Sequence, residues 1–270
     1  MNKIIRSQKD FYEKVYGQKN YISIEMPDLK IVNSEKVQGK KIAVMGAGTG
    51  RDIRFLTKSN EIWGLDNTEQ AIRVLKKNNI QAMLADMNKP LKLKNNYFDI
   101  VIAKDILEHL DYPQQLASEI FRILKKSGYA VINVPNHFFL PMRLRVLFGK
   151  NLIWNTIDHN HTQYFDEWNY MHKTFFTWNG FRKFLKINNL EIIKKYWDFG
   201  TLNHYSQPEI YFAILEQRND NFSKYLLLPT LRFFWIIFNI IFPRQLRSLI
   251  VSTSPSLMCA SFYVWCKPIK

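Results

Sequence analysis

Three glycines, Gly46, Gly48 and Gly50, stand at alternate positions directly after the apolar run Ile42-Ala43-Val44-Met45. A buried strand that ends in G-x-G-x-G, here with Ala47 and Thr49 between, lets bare backbone approach a nucleoside or phosphate, because a Cβ would block it. A helix starting near Arg51-Asp52 would turn its unpaired N–H groups toward that ligand. A second apolar run, Glu61 to Leu65, ends in Asp66, followed by Asn67. A carboxylate at the tip of the second strand of a βαβ unit is placed to accept from a ribose diol. A different chemistry is offered by Asp158-His159-Asn160-His161. An imidazole titrating near neutrality suits a general base for an alcohol or phenol, and Asp158 could orient either His159 or His161. His109 is a further candidate, and His137 a lesser one. The H-x-H spacing could also bind a metal, but no third ligand is evident in the sequence, so no metal is expected.

The elements that must position these groups follow in order. Glu69 to Asn79 reads as an amphipathic helix, and Ala85-Asp86-Met87 follows it. Tyr97 to Ala103 is a buried strand by its β-branched content, leading into Lys104-Asp105-Ile106-Leu107-Glu108-His109-Leu110. A helix over Pro113 to Leu124, a turn at Lys125-Lys126-Ser127-Gly128 and a strand from Tyr129 to Val134 come next. Thr177 to Asn188 then gives an amphipathic helix and Leu190 to Tyr196 another strand. Ahead of all these, Phe11, Tyr12 and Tyr16 lie at helical spacing.

This order of motifs resembles the class I S-adenosylmethionine-dependent methyltransferases. The resemblance runs over roughly residues 10–200 and rests on the glycine turn, Asp66, Asp86, Phe98-Asp99, Leu107-Glu108-His109 and Leu124-Lys125-Lys126-Ser127-Gly128. It implies an α/β fold: a doubly wound seven-stranded sheet, six strands parallel and the last, near Ala260 to Pro268, antiparallel. Helical insertions would follow strand 5 (about 137–176) and lie between strands 6 and 7 (about 198–259), with residues 1–38 forming a helical lid and 39–270 the methyltransferase domain. It also implies S-adenosyl-L-methionine as cofactor. Gly46, Ala47, Gly48 and Gly50 would cradle its methionine part, Asp66 with Asn67 its ribose. Asp86 and Met87 would border the adenine, and Lys104 to His109 would pass beside the methyl group. Val44 stands where the family usually has an acidic residue, removing one polar contact to the cofactor's amino end. Residues 158–165 look like the D-H-x-H-x-R-x-F segment of a subgroup often associated with cell-surface saccharide clusters, with Gln163 in place of the Arg.

The chain has 270 residues, enough for one substantial core with decorations, and a net charge of +15. Such an excess of cations points to an anionic partner or to a solvated basic surface. The two cysteines, Cys259 and Cys266, are spaced to lie on opposite faces of a strand and are not expected to pair. No apolar signal core follows the N-terminus, which gives the expectation of a cytoplasmic protein. Tyr225 to Phe242 is almost wholly apolar, but Pro229 and Arg232 interrupt it, and a span there would separate the last strand from its sheet. The stretch could instead hold the protein peripherally on an anionic inner membrane face, cap the substrate, or pair subunits of a homodimer if the protein is not a monomer. The acceptor expected is a small molecule, saccharide or lipid-linked species, methylated at oxygen. Two alternatives stand beside it: a degenerate cofactor-binding scaffold in a membrane-associated complex, and an RNA methyltransferase. The second is suggested by charge alone, and nucleic acid is not favoured.

Overall fold

The computed structural model describes residues 8–16, 37–149, 172–197, 223–241, 243, 246, 249 and 252–270. Seven strands form one sheet in the order β3-β2-β1-β4-β5-β7-β6: β1 Lys41–Met45, β2 Glu61–Asp66, β3 Gln81–Leu84, β4 Phe98–Lys104, β5 Leu124–Pro135, β6 Leu190–Trp197 and β7 Ser261–Pro268. Strands β3, β2, β1, β4 and β5 pair in parallel, and the sheet as a whole is doubly wound with mixed strand directions. The central strands are buried because both faces are covered. Ile42, Ala43, Met45, Phe98, Val101, Ile102, Ala103 and Ile132 have almost no exposed surface, which is why these strands read as continuous apolar runs rather than alternating ones.

Four helices of this unit have bounds that follow from local chemistry. α1 spans Gln8–Tyr16 and α2 spans Glu69–Lys77, where the Thr68 hydroxyl accepts from the Ala71 amide as an N-cap. α3, Pro113–Ile123, has proline in its first turn, where a missing N–H costs nothing. α5, Trp178–Ile187, starts at Thr177, whose hydroxyl accepts from the Gly180 amide. Asn79 and Asn189, just past two of these helices, take φ of +58° and +55°, the left-handed position that Asn tolerates.

One local expectation is met and one is corrected. The helix expected from about Arg51-Asp52 starts there, as a 3₁₀ helix of six residues, Arg51–Leu56. The Asn60 amide group donates to the Leu56 carbonyl and ends it, and the short path to β2 at Glu61 leaves no room for more turns. The expected turn at Lys125–Gly128 is absorbed into β5. It forms a bulge opposite Asp99, since Phe98 pairs with Leu124 while Ile100 pairs with Tyr129. A Cβ on Gly128 would sit 2.7 Å from the Asp99 carbonyl, so the bulge needs glycine. Lys125 Nζ closes it from outside on the Asp99 carboxylate at 2.7 Å.

A second compact unit comprises 136–154 and 196–262. It holds α4, Leu140–Leu147, α6, Leu228–Ile241, and a single turn α7, Pro255–Met258. Asn136 organises part of it: its side-chain amide donates to the carbonyls of Ser256 (3.0 Å) and Cys259 (2.7 Å), and its oxygen accepts from the Phe138 amide. Pro229 does not break the apolar stretch as expected, because it falls in the first turn of α6 after a π-helical turn at Ser223–Leu227. Among the described residues no helix is long and apolar enough to cross a membrane. Cys259 and Cys266 are both buried and no disulfide joins them; Cys259 precedes β7, so strand alternation is not the reason.

Candidate active site

At the end of β1 the chain enters the left-handed region three times, with φ of +67° at Gly46, +53° at Gly48 and +70° at Gly50. For a residue with a Cβ each of these would cost roughly 1–2 kcal/mol before any contact is counted. Contacts add to this at Gly50, where a Cβ would lie 2.5 Å from Leu75 and 2.8 Å from Ile80. The third glycine therefore lets α2 close on the loop. The loop is tied to β2: the Ala47 amide donates to the Leu65 carbonyl at 2.9 Å, and the Gly48 amide donates to Asp66 Oδ2 at 2.9 Å.

Asp66 is 5% exposed and serves this loop from the tip of β2. Its Oδ1 accepts from the Thr68 amide at 3.0 Å and the Thr68 hydroxyl at 2.8 Å. Burial raises its pKa, and the hydrogen bonds from Gly48, Thr68 and Asn67 hold that rise back by favouring the ionised form. Gly48, Asn67 and the two Thr68 donors take up the about four positions at which a carboxylate accepts. Its geometry is that of a clamp on the glycine loop.

Above the loop lies α1. The Tyr16 hydroxyl is 3.1 Å from where a Gly48 Cβ would be, Tyr16 stacks on Tyr12 at 5.4 Å between ring centroids, and Tyr12 meets His109 edge-on at 6.3 Å. Glu13 pins the helix in place by accepting from the amides of Glu69 (2.7 Å) and Gln70 (3.0 Å), the positive end of α2. Along the same rim, Asp86 is exposed. Burial would raise its pKa, but the Asn88 amide and Lys89 outweigh that and lower it. Met87 beside it is 4% exposed, and Asn88 accepts from the amides of Asp111 (2.9 Å) and Tyr112 (3.0 Å), joining the β3 end to the loop after β4.

That loop begins with strain. Asp105, directly after Lys104, has φ of +47°, held by its amide on the Asn133 carbonyl (3.1 Å) and by the Asn133 side chain on Asp105 Oδ1 (2.7 Å). Three residues on, Glu108 is fully buried, and both of its carboxyl oxygens have no hydrogen-bond partner among the described residues. Burial, and then the nearby Asp105, push its pKa well above the carboxylate range. Its Oε1 is 3.9 Å from His109 Nε2 and 3.9 Å from His172 Nε2, and the two imidazoles meet edge-on at 4.5 Å.

A methyltransferase-domain family model matches residues 44–132 of this chain, the segment from β1 into β5. An uncharacterised protein of Methanocaldococcus jannaschii is 28% identical over 90 residues, covering 33% of this chain and 42% of that protein. The match therefore spans less than half of that relative's length. Among solved structures, an S-adenosylmethionine-dependent methyltransferase from Archaeoglobus fulgidus aligns with a TM-score of 0.53 at 17% identity, covering 95% of this chain and 97% of the other. A protein of Pyrococcus horikoshii aligns with 0.53 at 15%, covering 94% and 93%. The [4+2]-cyclase SpnF aligns with 0.54 at 13%, covering 89% and 80%. The fold is that of the class I S-adenosylmethionine-dependent methyltransferases. At these identities the likeness fixes architecture and not chemistry, as the cyclase illustrates.

The structure brings together Gly46, Ala47, Gly48, Gly50, Asp66 and Asn67 at the β1–β2 tips. Asp86 and Met87 follow β3, and Lys104 and His109 belong to the end of β4 and its loop. Asp158, His159 and His161 lie outside the described residues. His137 belongs to the second unit, where burial lowers its pKa to about 4. Sequence reasoning passed over Glu13, Asn88, Asn133 and His172. Each acts across a long separation with no local spacing signal; for His172 the only hint was a fourth histidine in the segment after β5.

Proposed function

We propose that the protein is an S-adenosylmethionine-dependent methyltransferase acting on a small-molecule, saccharide or lipid-linked acceptor, at oxygen. The observation that carries this reading is the glycine loop locked by Asp66: three left-handed glycines, with a buried carboxylate at the tip of β2 where a ribose hydroxyl would be met. The loop fits the cofactor in kind, since three glycines hold it in a turn that a residue with a Cβ adopts only at a cost, and Met87 would offer an apolar edge next to Asp86 for a base. Bound there, S-adenosylmethionine would supply a methyl group made electrophilic by its sulfonium. The chain's own residues would do the rest. The Tyr16 hydroxyl, over Gly48, would meet the cofactor's amino-acid end, where buried Val44, 5% exposed, offers no charge. A histidine of the 158–161 segment would take the acceptor's proton, oriented by Asp158, and close alignment would provide much of the rate.

Calorimetric titration with S-adenosylmethionine tests the first half, and saturable heat with one site per chain is expected. No heat at millimolar cofactor would sink the reading. His159→Ala and His161→Ala test the second half: one of them should lower kcat by about 10²–10⁴ with cofactor affinity unchanged. Full activity in both would return that cluster to a structural role. A second reading is favoured by Val44: a cofactor-binding scaffold that transfers no methyl group. It predicts binding in the same titration without turnover on any acceptor.

A further inference from the structure

Glu108, on the loop after β4, and His172, which faces it, are not used by the methyl-transfer reading. Glu108 presents two fully buried carboxyl oxygens without a hydrogen-bond partner among the described residues. Leaving a buried acceptor unmatched typically costs about 1–3 kcal/mol, and more when the group is charged. The fold nonetheless builds this arrangement with care. The Glu108 carbonyl accepts from the amides of both Lys173 (2.7 Å) and Thr174 (3.1 Å), which fastens the chain after His172 to the residue that His172 faces. Lys173 adds a second tie through Asp111 at 2.6 Å. The outcome is one carboxylate and two imidazoles, one ligand atom from each, all within 4.8 Å of one another.

We propose that Glu108, His109 and His172 form a binding site for a divalent transition-metal ion. Two imidazole nitrogens and one carboxylate oxygen are a donor set that suits zinc, iron(II), manganese or cobalt rather than magnesium or calcium. Metal–ligand bonds of about 2.0–2.2 Å place neighbouring ligand atoms roughly 3.0–3.5 Å apart. The 3.9 Å spacings seen here need to contract by less than about 1 Å, within reach of side-chain rotation. The ion would supply the partner that the Glu108 oxygens lack. Three protein ligands leave further coordination positions open, the condition for a metal that also binds water or an acceptor oxygen. Tyr12, packed on the His109 edge and stacked on Tyr16 above Gly48, sets this site beside the candidate cofactor loop.

The test is binding of Co²⁺ and Zn²⁺ to tag-free, chelator-stripped full-length protein, which does not depend on methyl transfer. One Co²⁺ per chain with visible d–d bands is expected, together with a rise in Tm and competition by Zn²⁺. His172→Asn should weaken Co²⁺ binding by more than about 100-fold, beyond the 10–100-fold loss usual for an outer-shell partner. Glu108→Gln should abolish the bands. Folding of each metal-free variant is checked by circular dichroism, so that loss of binding is not loss of structure. No d–d spectrum at one equivalent, or binding that persists unchanged in the His172→Asn, Glu108→Gln double variant, would overturn the assignment. In that case Glu108 is a buried carboxyl packed between histidines.

Discussion

Replacing Asp66 by Asn changes one atom and should act at one place. In the native protein Asp66 Oδ1 accepts twice from Thr68, at 3.0 and 2.8 Å, and Oδ2 accepts once from the Gly48 amide, at 2.9 Å. The asparagine oxygen can keep the two Thr68 bonds only by turning its NH₂ toward Gly48, so that two donors face each other. That leaves a buried backbone N–H unmatched, at about 1–3 kcal/mol. Relief from burying a charge offsets part of this, because desolvation is what raises the Asp66 pKa. A net loss of about 1–2 kcal/mol is expected, read as a lower urea midpoint with an unchanged m-value. The local effect should be larger than the global one. Amide exchange at Gly48 and its neighbours should speed up while the β4–β5 core keeps its protection. Under the proposed function, cofactor affinity should also fall by roughly 1.5–3 kcal/mol, the worth of a hydrogen bond to a charged acceptor. Native stability together with native Gly48 exchange in Asp66→Asn would refute the clamp.

Gly50→Ala should destabilise by about 2–4 kcal/mol in urea unfolding, combining the left-handed conformation with overpacking against Leu75 and Ile80; a loss below 1 kcal/mol would mean that α2 yields freely. His137 titrates at about 4 in the folded protein because burial disfavours its cation, against about 6.5 unfolded. The unfolded chain therefore takes up the proton first, and stability falls as pH drops through the window from 6.5 to 4. Linkage gives about 2 kcal/mol lost by pH 5 relative to pH 7.5, absent in His137→Gln. Phe233 and Phe234 are more than half exposed on α6, at 60% and 61%. With a net charge of +15 they are expected to hold the protein on anionic vesicles in flotation at low salt, and Phe233→Glu/Phe234→Glu should release it. A wild type that stays in the soluble fraction would assign this helix to a substrate cap or a subunit interface.

What the sequence determined by itself was everything governed by near neighbours. The glycine turn, Asp66 at the end of an apolar run, the amphipathic helix from Glu69 and the buried β4 run are patterns of a few residues whose conformational preferences are local, and the doubly wound sheet was what the resemblance of these motifs to a known family implied. Tertiary structure decided the rest. Whether the helix after Gly50 propagates depends on how soon β2 must begin, and the outcome was a six-residue 3₁₀ segment. Whether Lys125–Gly128 turns or bulges depends on Asp99 across the sheet. Glu13 caps a helix from another helix, and His172 reaches Glu108 only because two backbone amides after it bond the Glu108 carbonyl. Such contacts join residues far apart in the chain, and no spacing announces them. The energy that selects them belongs to the packed fold and has no local carrier.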